Sequence, residues 1–261
     1  MASVRKGETL WNNDCFFSSV PEVKAGALQN VAMRVNPQLD PSEFVAAAAR
    51  FFCDRGKGFF LWTEDSTDSD LRRVARENHF AEIGSAATDP VMALSGNVHK
   101  IALPATAAVV RIEDGNSSRN RLFTQVIGSV FDTDPQIALR VVNASGCGSD
   151  AAAHGYVLLS DGVPVTCAVA LQRENIQGIY MVGTRPQYRN MGFGAALVSH
   201  VVGQRRFGDA GISVLESTDM AAPMYARMGF KRVGGGPAFI ATAEQAAQIA
   251  KARPALAPAR Q

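Results

Sequence analysis

Between Tyr180 and Val201 the chain reads Tyr-Met-Val-Gly-Thr-Arg-Pro-Gln-Tyr-Arg-Asn-Met-Gly-Phe-Gly-Ala-Ala-Leu-Val-Ser-His-Val, which predicts a strand, a tight turn carrying two glycines, and the start of an apolar helix. A helix start leaves its first backbone N–H groups without intrahelical acceptors, and the helix dipole favours negative charge at that end. Gly192 and Gly194 carry no side chain to hold a guest away from the main chain. The segment Asn190 to Ala195 therefore reads as an anion cradle, with a pyrophosphate as the expected guest.

Two familiar phosphate cradles fail against this segment. A P-loop needs a Lys after its last glycine, and Gly194 is followed by Ala195. A dinucleotide fingerprint needs Gly or Ala where Leu197 stands, and its first glycine directly after the strand, whereas Arg185 to Met191 intervene here. Glu216 only weakly imitates the ribose-binding acid of that fold, so a nucleotide-dependent oxidoreductase is a distant third reading.

Arg189-Asn190-Met191-Gly192-Phe193-Gly194 resembles the Arg/Gln-x-x-Gly-x-Gly/Ala signature of the GNAT superfamily of acyl-CoA-dependent N-acetyltransferases. Further on, Leu215-Glu-Ser-Thr-Asp-Met-Ala-Ala-Pro-Met-Tyr225-Ala-Arg-Met-Gly229-Phe230 is similar to the family's later motif, a helix bearing a Tyr and ending in Gly-Phe. The resemblance implies an α/β fold with a mixed, mostly antiparallel central sheet flanked by helices. It also implies acetyl-CoA as co-substrate, no metal, and a primary amine as acceptor, acetylated by direct attack through a tetrahedral intermediate.

By the same resemblance, the strand before the turn diverges from its neighbour and pairs with the pantetheine arm by strand addition. Val182, Gly183 and Thr184 then line the cofactor, with the Val182 amide facing the acetyl oxygen and the Thr184 backbone pairing with pantetheine. Arg189, Asn190, Met191, Gly192, Phe193, Gly194 and Ala195 surround the pyrophosphate, and Arg189 reaches a phosphate. Arg185 is an even choice between that role and a surface charge. Tyr225 is the expected proton donor to the leaving thiolate, so Tyr225 and Val182 form the catalytic set. Thr218 is expected to cap the Tyr225 helix.

The general base departs from the family pattern. Some members carry a Glu on the cofactor strand at the position occupied here by Gly178. Glu174, Glu216 and Asp219 are the nearby carboxylates, each read as a solvated charge. His200 reads as a packing or surface residue. The missing Glu keeps a second class open, a non-catalytic acyl-CoA-binding or regulatory module.

Residues 107–245 contain the elements such a domain needs. They include a helix over Arg121 to Val130, another opened by Asp134-Pro135, a hairpin turning at Asp161-Gly162, and strands at Gly178 to Thr184, Ile212 to Leu215 and Ala238 to Ala241. Arg205 and Arg206 are expected to end the Gly-turn helix. Residues 1–100 read as a degenerate repeat or as an unrelated accessory α/β domain, with a helix over Pro41 to Cys53, a strand over Gly58 to Thr63, and a helix from Ser69 ending in His79-Phe80. Aligning Phe80 with Phe230 places Ala75 where the second half has Tyr225. The apolar run Phe59 to Trp62 is expected to pack against the second half. Ser95 to Thr106 reads as the linker, and residues 246–261 as a flexible tail.

Composition excludes the remaining classes. A formal charge of +2 with scattered Lys and Arg argues against a nucleic-acid partner. The apolar stretches are short and the first residues lack an apolar signal core, so neither membrane insertion nor secretion is expected and the chain reads as cytoplasmic. Cys15, Cys53, Cys147 and Cys167 show no paired spacing and read as reduced thiols without a zinc site. Oligomerisation is left open.

Overall fold

A computed structural model of the chain describes residues 8–19, 30–84, 90–112, 116–131, 134–136, 139, 152–205 and 211–252. In chain order they form β1 (Glu8–Trp11), β2 (Cys15–Ser19), β3 (Val31–Arg34), α1 (Pro41–Cys53), β4 (Phe59–Trp62), α2 (Ser69–Glu77) and β5 (Ala81–Ile83). Then come β6 (Pro90–Ser95), β7 (Ala107–Arg111), α3 (Ser117–Val130), β8 (Ala152–Ser160), β9 (Val163–Arg173) and β10 (Ile176–Thr184). The rest are α4 (Phe193–Val202), β11 (Ile212–Glu216), α5 (Ala222–Arg227), β12 (Lys231–Gly235), β13 (Ala238–Ala241) and α6 (Ala243–Ala252). The helix expected from Asp134-Pro135 lies mostly outside the described residues, although Gln136 N–H does donate to the Asp134 carboxylate as an N-cap requires. Cys147 and Arg206 also lie outside them.

Two units result, one of residues 1–89 with 234–261 and the other of Pro90–Val233. The first holds a sheet in the order β1-β2-β3-β4-β13-β5, and the second a sheet in the order β12-β6-β11-β10-β9-β8-β7. Most pairings are antiparallel; β3 with β4 and β10 with β11 are parallel, each pair joined through a helix.

The expected boundaries at 100, 107 and 245 are corrected by these ladders. β6 pairs antiparallel with β11, so residues 90–95 belong to the second sheet, and the stretch read as a linker continues that unit toward β7. β13 pairs with β4 and β5, so the strand expected to close the second domain completes the first sheet. Residues 246–252 are not tail but helix: α6 buries Ala246 in the first unit's core. Backbone ladders are blind to chain order, which is why strand-by-strand reading misassigned both segments.

The repeat is visible in geometry. β3-α1-β4-α2-β5 follows the same order as β10-α4-β11-α5-β12, and an antiparallel strand, β13 or β6, fills the same gap in each sheet. His79 and Gly229 both adopt positive φ, of 56° and 99°, just past α2 and α5. Phe80 N–H donates to Ala75 O at 3.0 Å and Phe230 N–H to Tyr225 O at 3.1 Å, closing both helices the same way. Ala75 therefore does stand where the second unit has Tyr225.

Each core follows from its helix faces. In the first unit α1 buries Phe44, Ala48 and Phe52 against Phe17, Phe59 and Leu61, with Phe52 stacked on Phe59 at 5.0 Å. Phe59 and Leu61 thus serve their own unit's core. In the second unit α4 buries Leu197, Val198 and Val201 on one sheet face with Ile179, Leu215 and Tyr225. α3 covers the other face with Phe123, Val126 and Ile127 against Val157, Cys167 and Val169. β9 lies under both layers, so Pro164 to Ala170 is buried without alternation. The Asp161-Gly162 turn forms as expected, with φ of 50° and 78°, the paired positive values of a tight hairpin.

Candidate active site

A short 3-10 turn, Pro186–Tyr188, carries the chain from β10 into the glycine segment. Arg189 to Gly192 are exposed, Asn190 has φ 63°, and Gly192 has φ 82° at the N-cap of α4, where no side chain caps the helix. The first α4 N–H to find a helical acceptor is that of Ala196, on Gly192 O. The N–H groups of Phe193, Gly194 and Ala195 thus remain available at an open helix start, the arrangement that binds anions. A Cβ on Gly194 would lie 3.4 Å from Thr184 Oγ1 and 3.7 Å from Met224 Sδ, so the start of α4, the end of β10 and α5 converge there.

Arg189 is exposed beside the turn, and its Nε donates to Thr184 O at 3.2 Å. Arg185 turns elsewhere: its side chain donates to Pro164 O and its N–H to Val165 O. Arg205 lies beyond the end of α4 and ties the carbonyls of Gly211 and Gly96, instead of facing the helix terminus.

β10 breaks register with β9 between Tyr180 and Gly183, where two residues bulge out and Met181 takes φ 51°. On its other side β10 pairs with β11 only over Ile176–Gly178 among the described residues. Beyond Gly178 the two parallel strands separate. Arg185 N–H faces β9, so by alternation Gly183 faces β9 too, while Thr184 and Val182 present their backbone groups to the separating edge. Gly183 is required sterically, because a Cβ there would meet Val130 and Phe131 of the α3 end at 2.6 and 2.7 Å.

Tyr225 is 4% exposed, its ring 5.7 Å from that of Phe230. Burial pushes its phenol up to about 12, so it holds its proton at neutral pH. Thr218 does not cap α5 through its side chain; its carbonyl accepts from Ala221 and Ala222 N–H instead.

At Gly178 the Tyr180 ring fills the space a side chain would need: a Cβ would fall 2.6 to 2.9 Å from it. Extending the parallel register by two places Tyr180 level with Glu216 across the separation, on one sheet face. Desolvation, with the Glu216 charge second, raises the Tyr180 phenol, although the side chain is half exposed. Glu174 sits in the turn at the opposite end of β10, and so leaves the set of base candidates. Asp219 is exposed on the loop before α5. His200 packs its ring 6.2 Å from Tyr156, and burial lowers its pKa, consistent with a packing role.

The equivalent places in the first unit are closed. Asp40 caps α1 with its own carboxylate, accepting from Ser42 and Glu43 N–H at 2.8 and 2.9 Å. A built-in anion thus occupies the helix start. At the end of β3 the buried Arg34 guanidinium binds Asp68 and Asp70 at 2.8 and 2.6 Å. β3 and β4 stay paired up to Met33↔Trp62. Sequence reading missed this closure, although Asp40-Pro41 is a legible cap.

Among the described residues no group of three or more His, Cys, Asp or Glu is arranged to hold a metal ion, and no helix is long and apolar enough to cross a membrane. Cys15, Cys53 and Cys167 are free thiols.

Comparison with known proteins agrees with this geometry. Residues 151–232 match the model of the acetyltransferase (GNAT) domain, so the second unit carries a domain of the GNAT family. The fold of the whole chain is similar to a GCN5-related N-acetyltransferase from Kribbella flavida, at 18% identity and a TM-score of 0.66, over 91% of this chain and 89% of that one. It is also similar to a GCN5-related N-acetyltransferase from Sphaerobacter thermophilus, at 14% identity and TM-score 0.61, over 89% and 81%. A tandem GNAT protein from the clavulanic acid biosynthesis pathway matches at 11% identity and TM-score 0.59, over 88% and 78%. These likenesses establish a tandem GNAT fold. No curated protein matches the sequence.

Proposed function

We propose that the chain is an N-acetyltransferase that moves an acetyl group from acetyl-CoA to a primary amine, using one donor site, in the second unit. The observation that carries the reading is the separating edge of β10, which leads through the Pro186–Tyr188 turn into the uncapped start of α4. The pyrophosphate fits the N–H groups of Asn190 to Ala195, with Arg189 beside them. Pantetheine fits the backbone edge at Thr184, while Gly183, whose backbone faces β9, lines the strand without pairing to it. The acetyl oxygen then falls to the Val182 N–H, a donor held ready for charge that develops as the amine attacks. The acetyl thioester supplies the acyl group. Tyr225, neutral and next to the convergence of α4 and β10 at Met224, donates a proton to the sulfur as the C–S bond breaks, and the attacking nitrogen gives up its own proton to solvent, from which the phenol is restored. Such a donor is drawn from the cytoplasm.

A regulatory acyl-CoA-binding module is the second reading, favoured by the Tyr180 ring where some relatives carry a carboxylate. Thermal shifts with acetyl-CoA, CoA, NADH and NADPH test the donor, since a ligand at a hundred times its Kd adds about 2.7 kcal/mol. Release of CoA thiol on adding primary amines then separates enzyme from module. Stabilisation by NADPH and not by CoA would remove both readings.

A further inference from the structure

Cys167 lies on β9 opposite the bulge, with no exposed surface. Its thiol donates to Met181 O at 3.4 Å. The side chain therefore holds one of the two peptide groups that flank Val182, and the β9 ladder, in which Gly183 is paired with Cys167, holds the other. A peptide group is planar and trans, so its C=O and N–H point in opposite directions. Holding Met181 C=O toward β9 turns the Val182 N–H away from it, and holding the Gly183 N–H does the same to the Val182 carbonyl.

Met181 needs such a hold. A non-glycine residue at φ 51° is disfavoured, and a bulge leaves its extra residue outside the regular ladder. We propose that Cys167 is a positioning residue, whose S–H hydrogen bond to Met181 O fixes the Met181–Val182 peptide so that the Val182 N–H is aimed at the acetyl oxygen of the donor. The inference rests on the acetyl-CoA reading given above. Burial pushes the Cys167 thiol up to about 12, so the sulfur keeps the proton it donates. A Ser can supply the same donor; Ala and Val cannot.

The test uses the full chain as wild type, Cys167→Ser, Cys167→Ala and Cys167→Val, each checked for folding by circular dichroism. The probe is acetyl-CoA labelled with ¹³C at the thioester carbonyl, and infrared difference spectra read its stretching frequency when bound. This readout needs no acceptor amine. The wild-type band is expected below its position in water, relaxed upward in the Ala and Val variants, and largely restored in the Ser variant. The ratio of acetyl-CoA to CoA affinity, by calorimetry, should fall about three- to tenfold in Ala and recover in Ser.

A wild-type shift that persists in Ala and Val overturns the proposal and leaves Cys167 as a packing residue. Bound acetyl-CoA with no shift in the wild type also overturns it, because the Val182 N–H then does not meet the acetyl oxygen. Failure of the wild type to bind acetyl-CoA overturns the transferase reading itself, and this inference with it.

Discussion

The Tyr180 ring lies over Gly178, two residues back along β10, so closely that a Cβ on the glycine would fall 2.6 Å from the ring. The position where the resemblance to the family would admit a Glu is thereby filled from within the same strand. Gly178→Ala is expected to cost about 1 kcal/mol, the low end of overpacking, because the half-exposed ring can swing aside. In a Tyr180→Ala background the same substitution should be near neutral. Urea denaturation of the four chains measures the coupling, and an equal cost in both backgrounds would refute the contact.

At the turn, Gly192 combines φ 82° with open space around its missing Cβ. Asn tolerates that conformation, so Gly192→Asn should fold at a modest cost. Gly192→Asp places a negative charge where the pyrophosphate is proposed to sit, and should weaken CoA binding at least about tenfold relative to Asn. Equal calorimetric affinities for the two variants would move the donor site elsewhere.

Tyr225→Phe removes the proposed acid and keeps the ring that packs against Phe230. The expected result is acetyl-CoA affinity within about twofold of wild type and kcat lower by about 10². An unchanged kcat would reduce Tyr225 to a packing residue.

The same phenol links stability to pH. Its ordinary value is 10.0 and burial raises it to about 12, so between those values the folded chain keeps a proton that the unfolded chain has lost. Its contribution is fully present below pH 10 and is lost as pH climbs toward 12, by up to about 3 kcal/mol. Cys167 acts in the same direction from its ordinary 9.0. Urea midpoints between pH 9 and 11.5 should fall less steeply for Tyr225→Phe than for wild type.

The fate of fragments follows from the strand ladders. β6 lies between β11 and β12, so a fragment starting at residue 107 loses an interior strand and should fail to fold or to bind CoA. Residues 90–233 hold that strand and should bind one CoA per chain, the stoichiometry also expected of the full chain, because Asp40 closes the helix start in the first unit. Circular dichroism and calorimetry on both fragments distinguish the cases. Two CoA per full chain would contradict the closure.

What the sequence determined by itself is local. The glycine turn, the apolar face of α4, the Asp161-Gly162 hairpin and the shared ends at Phe80 and Phe230 are set by neighbours within a few residues, where conformational preference and periodicity act directly. Tertiary structure alone decided which sheet β6 and β13 join, because a strand's backbone bonds equally well to any edge and chain order does not enter. It also decided the backbone conformation around Val182. Met181 carries no turn signal, and its left-handed conformation exists only where the register of β10 slips against β9 with the Cys167 thiol, fourteen residues away, in place to hold the carbonyl. The Tyr180 ring over Gly178 is legible afterwards as an i, i+2 pair on one strand face, yet the rotamer that lays it there is one of several a strand allows, and local sequence does not choose among them.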